Sequence, residues 1–484
     1  MNVVDMVDFW GRSQGRHAAI IQPDLTLTYG QLIAAIDSAA EYFSRHDIGK
    51  SGPVAVAISN PAKMLVAVLG LFRAGVNVVP AHQAILEHLS SVGVTAMVGE
   101  RNGIVLSTGT NILFDDGWLS RVPASKPIAR RKNPDVNVIL FTSGTTGRPK
   151  SIVQTQAAWE QRIMYSKNTT FANFERALIV PGLTTSFGFN RACEVLYSGK
   201  TACFALFGEP TLWLVNNYDI DFMFASIQQA LSLAEIQEKI TRYNLKSLKA
   251  VRVGGSLITQ EGVERIKRNL CRKVIVAYAS SEAGMIAIAN HDMIANIPNA
   301  VGFVSPEVDV EIVDQNGLPL PVGKEGFVRL RTPPFAAIHA AANPGQTRDA
   351  TKVWYHPGDL GWLTEDSVLC IAGRSGDVIN RGGVKLSSAS LEEFLCSCEG
   401  VRDAGVCSVM GESGFEEAWV AVVFDSAIDL AAFRKTIETS DRFGRNIDKL
   451  FVVEAIPRAE AGKIQRNILK EMLQAINEET RVDP

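Results

Sequence analysis

The chain has 484 residues, with 48 Lys and Arg against 51 Asp and Glu, a formal net charge of −3. At about 100 to 200 residues per domain, that length predicts two to four domains and a core large enough to need no disulfide or metal staple. Apolar residues make up 46% and charged residues 20%, the texture of a soluble globular enzyme, and the balance lacks the basic excess of a nucleic-acid binder.

The N-terminal stretch carries no basic-then-apolar signal pattern. The longest apolar run, Met64–Phe72, falls short of the roughly 20 residues that span a bilayer. A cytoplasmic chain without a membrane span is expected. The seven cysteines are scattered and odd in number, and the Cys396-x-Cys398 pair has no second pair at metal spacing. They read as reduced, buried thiols.

In chain order, Val54–Ile58 reads as a buried strand. Pro61–Arg73 reads as a helix with proline at its start and Gly75 past its end. Val76–Val79 and Val94–Val98 read as further strands, with a helix over Ala84–Ser91 between them. The pattern returns with strands at Ala177–Val180, Thr201–Phe204, Asp221–Ala225, Ala250–Val253 and Lys273–Ala277. Helices are expected at Gln228–Lys239 and Gln260–Asn269. Short apolar strands separated by helices predict parallel sheets covered on both faces.

From Val308 the texture changes to short strands at Val308–Val313, Gly326–Leu330, Val353–Tyr355 and Val368–Ile371, with turns such as Asn316-Gly317 between them. After Arg374-Ser375-Gly376-Asp377 the pattern is helix Ala389–Cys398, strands Val406–Val409 and Trp419–Phe424, helix Leu430–Thr439, and a last helix from Lys463. The expected class is α/β. A large N-terminal domain of layered sheets and helices with a β-rich subdomain spans 1–375, and a small mobile α+β domain spans 376–484.

The strongest local signal is the strand Val138–Phe141 running into Thr142-Ser143-Gly144-Thr145-Thr146-Gly147-Arg148-Pro149-Lys150. Glycines let backbone N–H groups point at an anion, hydroxyls add donors, and Arg148 and Lys150 add positive charge. The reading is a polyphosphate cradle. The glycine-to-lysine spacing does not fit the P-loop pattern.

This stretch resembles the signature loop of the adenylate-forming superfamily, which includes acyl-CoA synthetases, peptide-synthetase adenylation domains and luciferases. The family pattern ends in glycine where this chain has Ser151. Further segments are similar to the family's other motifs, in family order: Tyr278-Ala279-Ser280-Ser281-Glu282, Tyr355-His356-Pro357-Gly358-Asp359, Gly373-Arg374-Ser375-Gly376-Asp377, Gly382-Gly383-Val384-Lys385, and Pro457-Arg458 through Gly462-Lys463-Ile464-Gln465-Arg466.

The resemblance implies that Thr142, Ser143, Gly144, Thr146, Gly147 and Lys150 hold ATP phosphates. It implies Tyr278 against adenine, Ser281 at phosphate, and Asp359 and Arg374 at ribose. Lys463, Thr145 and Glu282 carry the catalytic roles, Glu282 also as the Mg²⁺ carboxylate. An aromatic face suits a purine, and a lone carboxylate near phosphates suits Mg²⁺. Gly383 and Lys385 are implied to meet the thiol substrate, and Gly376 takes the hinge position, where glycine suits a pivot.

The implied reaction has two steps. A small carboxylic acid attacks the α-phosphorus of ATP and releases pyrophosphate. A thiol then attacks the acyl-adenylate and releases AMP. The acyl pocket is expected from Thr184–Asn190, Phe224–Gln228, Gly254–Ser256 and Tyr278–Ser280, with Thr184, Thr185, Phe187, Ser226, Gly254, Gly255 and Ala279 as lining. Amino-acid-activating relatives place Asp near the position of Ser186, so an α-amino acid is disfavoured. The lining suits an aryl acid or a short-to-medium aliphatic or hydroxylated acid.

Three readings stand. The first is an acid–CoA ligase, for which Gly383 and Lys385 speak. The second is a stand-alone enzyme that loads the phosphopantetheine of an acyl carrier protein. The third is a nucleotide-binding protein that has lost catalysis. A monomer and a homodimer are both compatible with the sequence.

Overall fold

The computed structural model describes residues 3–101, 103–107, 109–120, 136–142, 150–169, 173–240, 242–256, 258–335, 338, 352–381, 384–411, 416–425, 430–438, 447–459 and 462–482. Val54–Ala57 is buried at every residue, as a parallel strand covered on both faces must be. It pairs in parallel with Val78–Pro80 and Ala96–Gly99. The helix Pro61–Arg73 follows it, capped by the Asn60 side chain, which accepts from the Lys63 N–H.

These strands belong to a sheet of six among the described residues. Its order is Thr110–Leu113, Ala96–Gly99, Val54–Ala57, Val78–Pro80, Val138–Thr142, Lys150–Gln154. The last two strands are antiparallel, with Thr142 opposite Lys150. The glycine- and hydroxyl-rich loop therefore joins the two strands of a hairpin. Ser143, Gly144, Thr145, Thr146 and Gly147 lie outside the described residues.

The larger sheet has thirteen described strands. At its centre Thr201–Cys203, Arg176–Ile179, Phe222–Ser226, Ala250–Gly254 and Val274–Ser280 run parallel. Gly284–Asn290 then pairs antiparallel with Val274–Ser280. Beyond it Ala300–Val304, Val368–Arg374, Asp359–Leu363, Gly326–Arg331 and Asp309–Val313 continue antiparallel. The β-rich stretch is thus an extension of the same sheet. Ligands of open α/β sheets gather at the carboxyl ends of strands, where the pattern changes. Here Ser226, Gly254 and the turn after Ser280 end together.

Alternation fixes the two faces of the central strands. Met223, Ala225, Val251 and Val253 pack in one cluster that includes Ala230 and Leu233 of the helix Ile227–Ile240 and Val263 and Ile266 of the helix Gln260–Asn269. Phe222, Phe224 and Ala250 pack on the opposite side, with Trp159, Ile163, Phe189 and Ala192 from the helices Gln156–Thr169 and Ser186–Tyr197.

Past the single turn Ser375–Asp377 come the hairpin Val378–Arg381 and Val384–Ser387, then a three-stranded sheet of Val401–Met410, Glu416–Phe424 and Lys449–Val452. The helices Ser388–Cys396, Leu430–Glu438 and Arg466–Val482 accompany it. Two core clusters are built entirely from residues after position 376.

Several expected elements shift. Residues 353–355 form no strand: Tyr355 makes an isolated bridge to Leu330. The segment expected as helix Ala84–Ser91 is a 3₁₀ helix, Gln83–Val92. The last helix begins at Arg466, because Arg458 and Ile464 are bridged and close the preceding residues into a loop.

Candidate active site

The strand Val274–Ser280 ends in a turn that returns as Gly284–Asn290. Ser280 Oγ accepts from the Ala283 N–H at 2.9 Å, and Gly284 holds a φ of 80° that a side chain rarely adopts. The turn is gripped from below. The Ser281 carbonyl accepts from Arg162 and from Gln154 Nε2, the latter at 3.3 Å. Glu282, at the turn's apex, acts electrostatically on Arg162, Tyr355 and Lys463.

Asp359 begins the strand Asp359–Leu363 directly opposite Arg374. The Tyr278 hydroxyl donates to one carboxylate oxygen, and Arg374 Nε lies 3.4 Å from the other. Burial raises the Asp359 pKa, while the Tyr278 hydroxyl and the charges of Arg374 and Lys463 oppose the rise. A carboxylate has about four acceptor positions, so both oxygens retain acceptor capacity beyond these contacts. Burial, then the neighbouring Asp359 charge, raises the Tyr278 phenol well above its ordinary value. The hydroxyl contact holds the ring by its tip.

Lys463 follows Gly462, whose φ is 81°. The loop is closed by Ala459 N–H donating to the Lys463 carbonyl at 2.8 Å and by Arg458 Nη1 donating to the Gly462 carbonyl at 2.7 Å. Arg458 in turn pairs with Asp403 at 2.6 Å. A methyl on Gly462 would stand 3.0 Å from Gln228 Cβ and 3.5 Å from Ser226 Oγ, so the loop abuts the end of the strand Phe222–Ser226. Lys463 itself is exposed, yet protein surrounds it. That partial burial and the Arg374 charge lower its pKa, against Asp359, Glu282 and Asp377.

The hinge candidate Gly376 is exposed, and a methyl there would meet nothing within 4 Å. Its neighbours are held on both sides. Ser375 donates its N–H and its hydroxyl to the Gly358 carbonyl at 2.8 and 3.0 Å. Asp377 pairs with Arg466 Nε at 3.1 Å, and Arg466 also pairs with Glu392.

The expected acyl lining is partly committed to structure. Thr185 caps the helix Ser186–Tyr197: its hydroxyl accepts from the Gly188 N–H at 3.1 Å and donates to the Gly182 carbonyl at 2.8 Å. Ser226 exchanges hydrogen bonds with Gln229 at 2.9 and 3.2 Å. Thr184 precedes the cap, and Phe187 is half-buried against the core. Gly254 pairs with both Ser226 and Ala277, Gly255 has a φ of 101°, and Ala279 lies opposite Met285. Thr142 and Lys385 are placed by backbone pairing alone, with Lys150 and Asn380, and Gly383 lies outside the described residues.

Below this site lies a buried polar layer that the motif reading did not single out. Gln154 Nε2 reaches Ser186 Oγ at 3.4 Å, and Asn190 Nδ2 donates to the Ser186 carbonyl at 2.7 Å. Arg191 pairs with Glu194 at 2.6 Å, and the Ser166 hydroxyl accepts from both Arg191 and Arg252. Burial lowers Arg162 to about 10 and Arg252 to about 9, so both remain cations at neutral pH. The legible signal for Arg252 is a charge inside the apolar run Ala250-Val251-Arg252-Val253.

The sequence pattern of the AMP-binding enzyme family matches residues 7–337, more than half of the chain. The chain belongs to that family. It is an AMP-forming ligase of the adenylate-forming superfamily. A methyl-dioxo-octahydroindenyl-propanoyl:CoA ligase of Rhodococcus jostii is 25% identical, over 95% of this chain and 96% of its own length. The amide bond synthetase McbA of Marinactinospora thermotolerans shares the fold with a TM-score of 0.80 and 21% identity, covering 97% of this chain and 99% of its own. The o-succinylbenzoate CoA synthetase MenE of Bacillus subtilis, in complex with ATP and magnesium ion, does so with a TM-score of 0.80 and 20% identity, over 96% and 99%. Among the described residues no helix is long and apolar enough to cross a membrane.

Proposed function

We propose that this AMP-forming ligase joins a small carboxylic acid to the thiol of CoA through an acyl-adenylate. The observation that carries the reading is that Lys463 stands close enough to Glu282, Asp359 and Arg374 to be acted on by all three charges, with its loop against the end of the strand Phe222–Ser226. A carboxylate nucleophile needs no general base. The protein's work is to align two anions and neutralise charge on the leaving oxygens. Glu282 would hold Mg²⁺, which when bound would supply part of that neutralisation. Glu282 suits it as a single hard carboxylate, the usual protein share at an Mg²⁺–nucleotide site. Lys463 would add charge at the α-phosphate, and Asp359 would accept the ribose hydroxyls, with Tyr278 against adenine.

In the second step the small C-terminal unit, 376–484, would turn about Gly376 and bring Gly383 and Lys385 to the adenylate. CoA as acceptor rests on that glycine turn and on the CoA ligase among the relatives. Loading of a carrier-protein phosphopantetheine is the same chemistry with a protein surface in place of the nucleotide end of CoA. The seven cysteines, none of them in a disulfide, support a reducing compartment such as the cytoplasm.

The test is acid-dependent ATP–pyrophosphate exchange, followed by thioester formation with free CoA and with a phosphopantetheinylated carrier. Exchange followed by acyl-CoA supports the reading. Exchange with transfer only to the carrier moves it to the second acceptor, and no exchange with any acid overturns it.

A further inference from the structure

Three guanidiniums are buried side by side beneath the proposed reaction centre. Arg162, Arg191 and Arg252 are 6%, 7% and 2% exposed. They come from the helix Gln156–Thr169, the helix Ser186–Tyr197 and the strand Ala250–Gly254. Among the described residues Glu194, 2% exposed, is the carboxylate packed among them; it pairs directly with Arg191, and its charge also acts on Arg252. Arg162 has Glu282 to balance it from the turn above. Among the described residues no carboxylate pairs with Arg252.

Arg252 is held by weak partners. It donates to Ser166 Oγ at 3.1 Å, a hydroxyl shared with Arg191, and to the thioether of Met285 at 3.4 Å. The Phe224 ring lies 5.7 Å from its guanidinium carbon. Its Nε has no hydrogen-bond partner among the described residues. The same holds for Arg162 Nε, Gln154 Oε1 and Asn190 Oδ1 in the same layer. A buried cation with a vacant donor is costly unless an anion completes it.

The layer is also at the right depth. Arg252 lies opposite Phe224 and Ile275, while Gly254, two residues on and on the same strand face, lies opposite Ser226 and Ala277. At about 3.3 Å rise per residue, Arg252 is rooted roughly 6–7 Å below the strand ends where the acyl-adenylate would form. A hydrogen-bonded path of Gln154, Ser186 and Asn190 runs from Ser281 down into the layer.

We propose that this layer receives a second carboxylate on the acid substrate, with Arg252 as its recognition residue, so that the enzyme activates one end of a short dicarboxylic acid. The proposal deepens the acid-ligase reading and rests on it. A guanidinium with free donors is suited to a carboxylate, and a site built for a charged group rejects analogues that leave it unpaired.

The experiment is ATP–pyrophosphate exchange with malonate, succinate, glutarate and adipate, each against its monomethyl ester and a monocarboxylic acid of equal length. Wild type is compared with Arg252→Leu and Arg252→Lys. The expected result is a kcat/KM for one diacid about 100-fold above its monoester, lost in Arg252→Leu and partly kept in Arg252→Lys. Thermal unfolding checks that the variants fold. Monocarboxylates used as well as the diacids, or a diacid preference that survives Arg252→Leu, would overturn the proposal.

If no acid supports exchange, the ligase reading fails by itself. The anion site is then read by calorimetric titration of the same diacids into wild type and Arg252→Leu. Binding to wild type alone keeps the site; no binding, or equal binding to both, removes it.

Discussion

Gly462 lies against Gln228 so closely that a methyl on its α-carbon would stand 3.0 Å from the Gln228 Cβ, and its φ of 81° is one that glycine adopts freely. That contact brings the loop of the C-terminal unit onto the end of a central strand and delivers Lys463 beside Asp359 and Glu282. Gly462→Ala faces both the crowding and a backbone cost of about 1–2 kcal/mol. The expected outcome is a fall of about tenfold in pyrophosphate exchange. Thioester formation from preformed acyl-adenylate, during which the proposed rotation would carry Lys463 away, should change by less than twofold.

The lysine carries a pH signature. Partial burial, then the Arg374 charge, holds Lys463 below its usual 10.5. In the proposed mechanism Lys463 works as a cation, so adenylation would be intact below its lowered pKa and lost as pH rises through it. The alkaline limb of the exchange rate should therefore fall below pH 10.5. In Arg374→Leu the limb should move upward, because a like charge is removed. An unmoved limb in that variant would detach the titration from this pair.

Asp359 is held by Tyr278 and Arg374 with capacity to spare. In Asp359→Asn the charge that orders both partners is gone, and one acceptor oxygen becomes a donor. Hydrogen bonds to charged groups are worth roughly 1.5–3 kcal/mol. The KM for ATP should rise about 10- to 100-fold, read by initial rates at saturating acid. Tyr278→Phe, which keeps the ring face, should cost less than Asp359→Asn.

Arg466 joins Asp377 after the hinge to Glu392 in the helix Ser388–Cys396. Removing it strands a Glu392 carboxylate whose pKa burial already raises. Breaking a buried pair from one side costs about 3–5 kcal/mol. Arg466→Leu should therefore lower the unfolding midpoint of the C-terminal unit in denaturant, and Arg466→Leu with Glu392→Leu should recover much of the loss.

At the proposed hinge, Gly376 has open space around its α-carbon and is outside the left-handed region. Gly376→Ala should leave both half-reactions near wild type. Gly376→Pro, which locks φ, should slow thioester formation far more than exchange. Equal slowing of the two, or of neither, would move the pivot off this residue.

Much of the fold was legible because the physical signals were local. Val54–Ala57 and Phe222–Ser226 are apolar runs of strand length, and Pro61–Arg73 carries its own start and stop. Residues 353–355 look like a strand by composition, but only Tyr355 meets the sheet. Lys463 looks like helix onset, yet Arg458 closes the chain into a loop there through Asp403, a partner 55 residues away. The motifs stand in family order along the sequence, and the structure brings Glu282, Asp359 and Arg374 of three of them near Lys463 of a fourth. Thr185 was not legible as a cap, because its commitment to Gly188 depends on where the helix starts. Arg162 and Arg191 were not legible as buried cations, since only the packing of three separate elements brings them to Arg252.

The central claim is adenylation through Lys463, and acid-dependent ATP–pyrophosphate exchange in wild type and Lys463→Ala tests it most directly. Exchange with a carboxylic acid should fall by at least about 100-fold in Lys463→Ala, while ATP binding persists. Exchange that survives in Lys463→Ala, or no exchange in wild type that binds ATP, would contradict it.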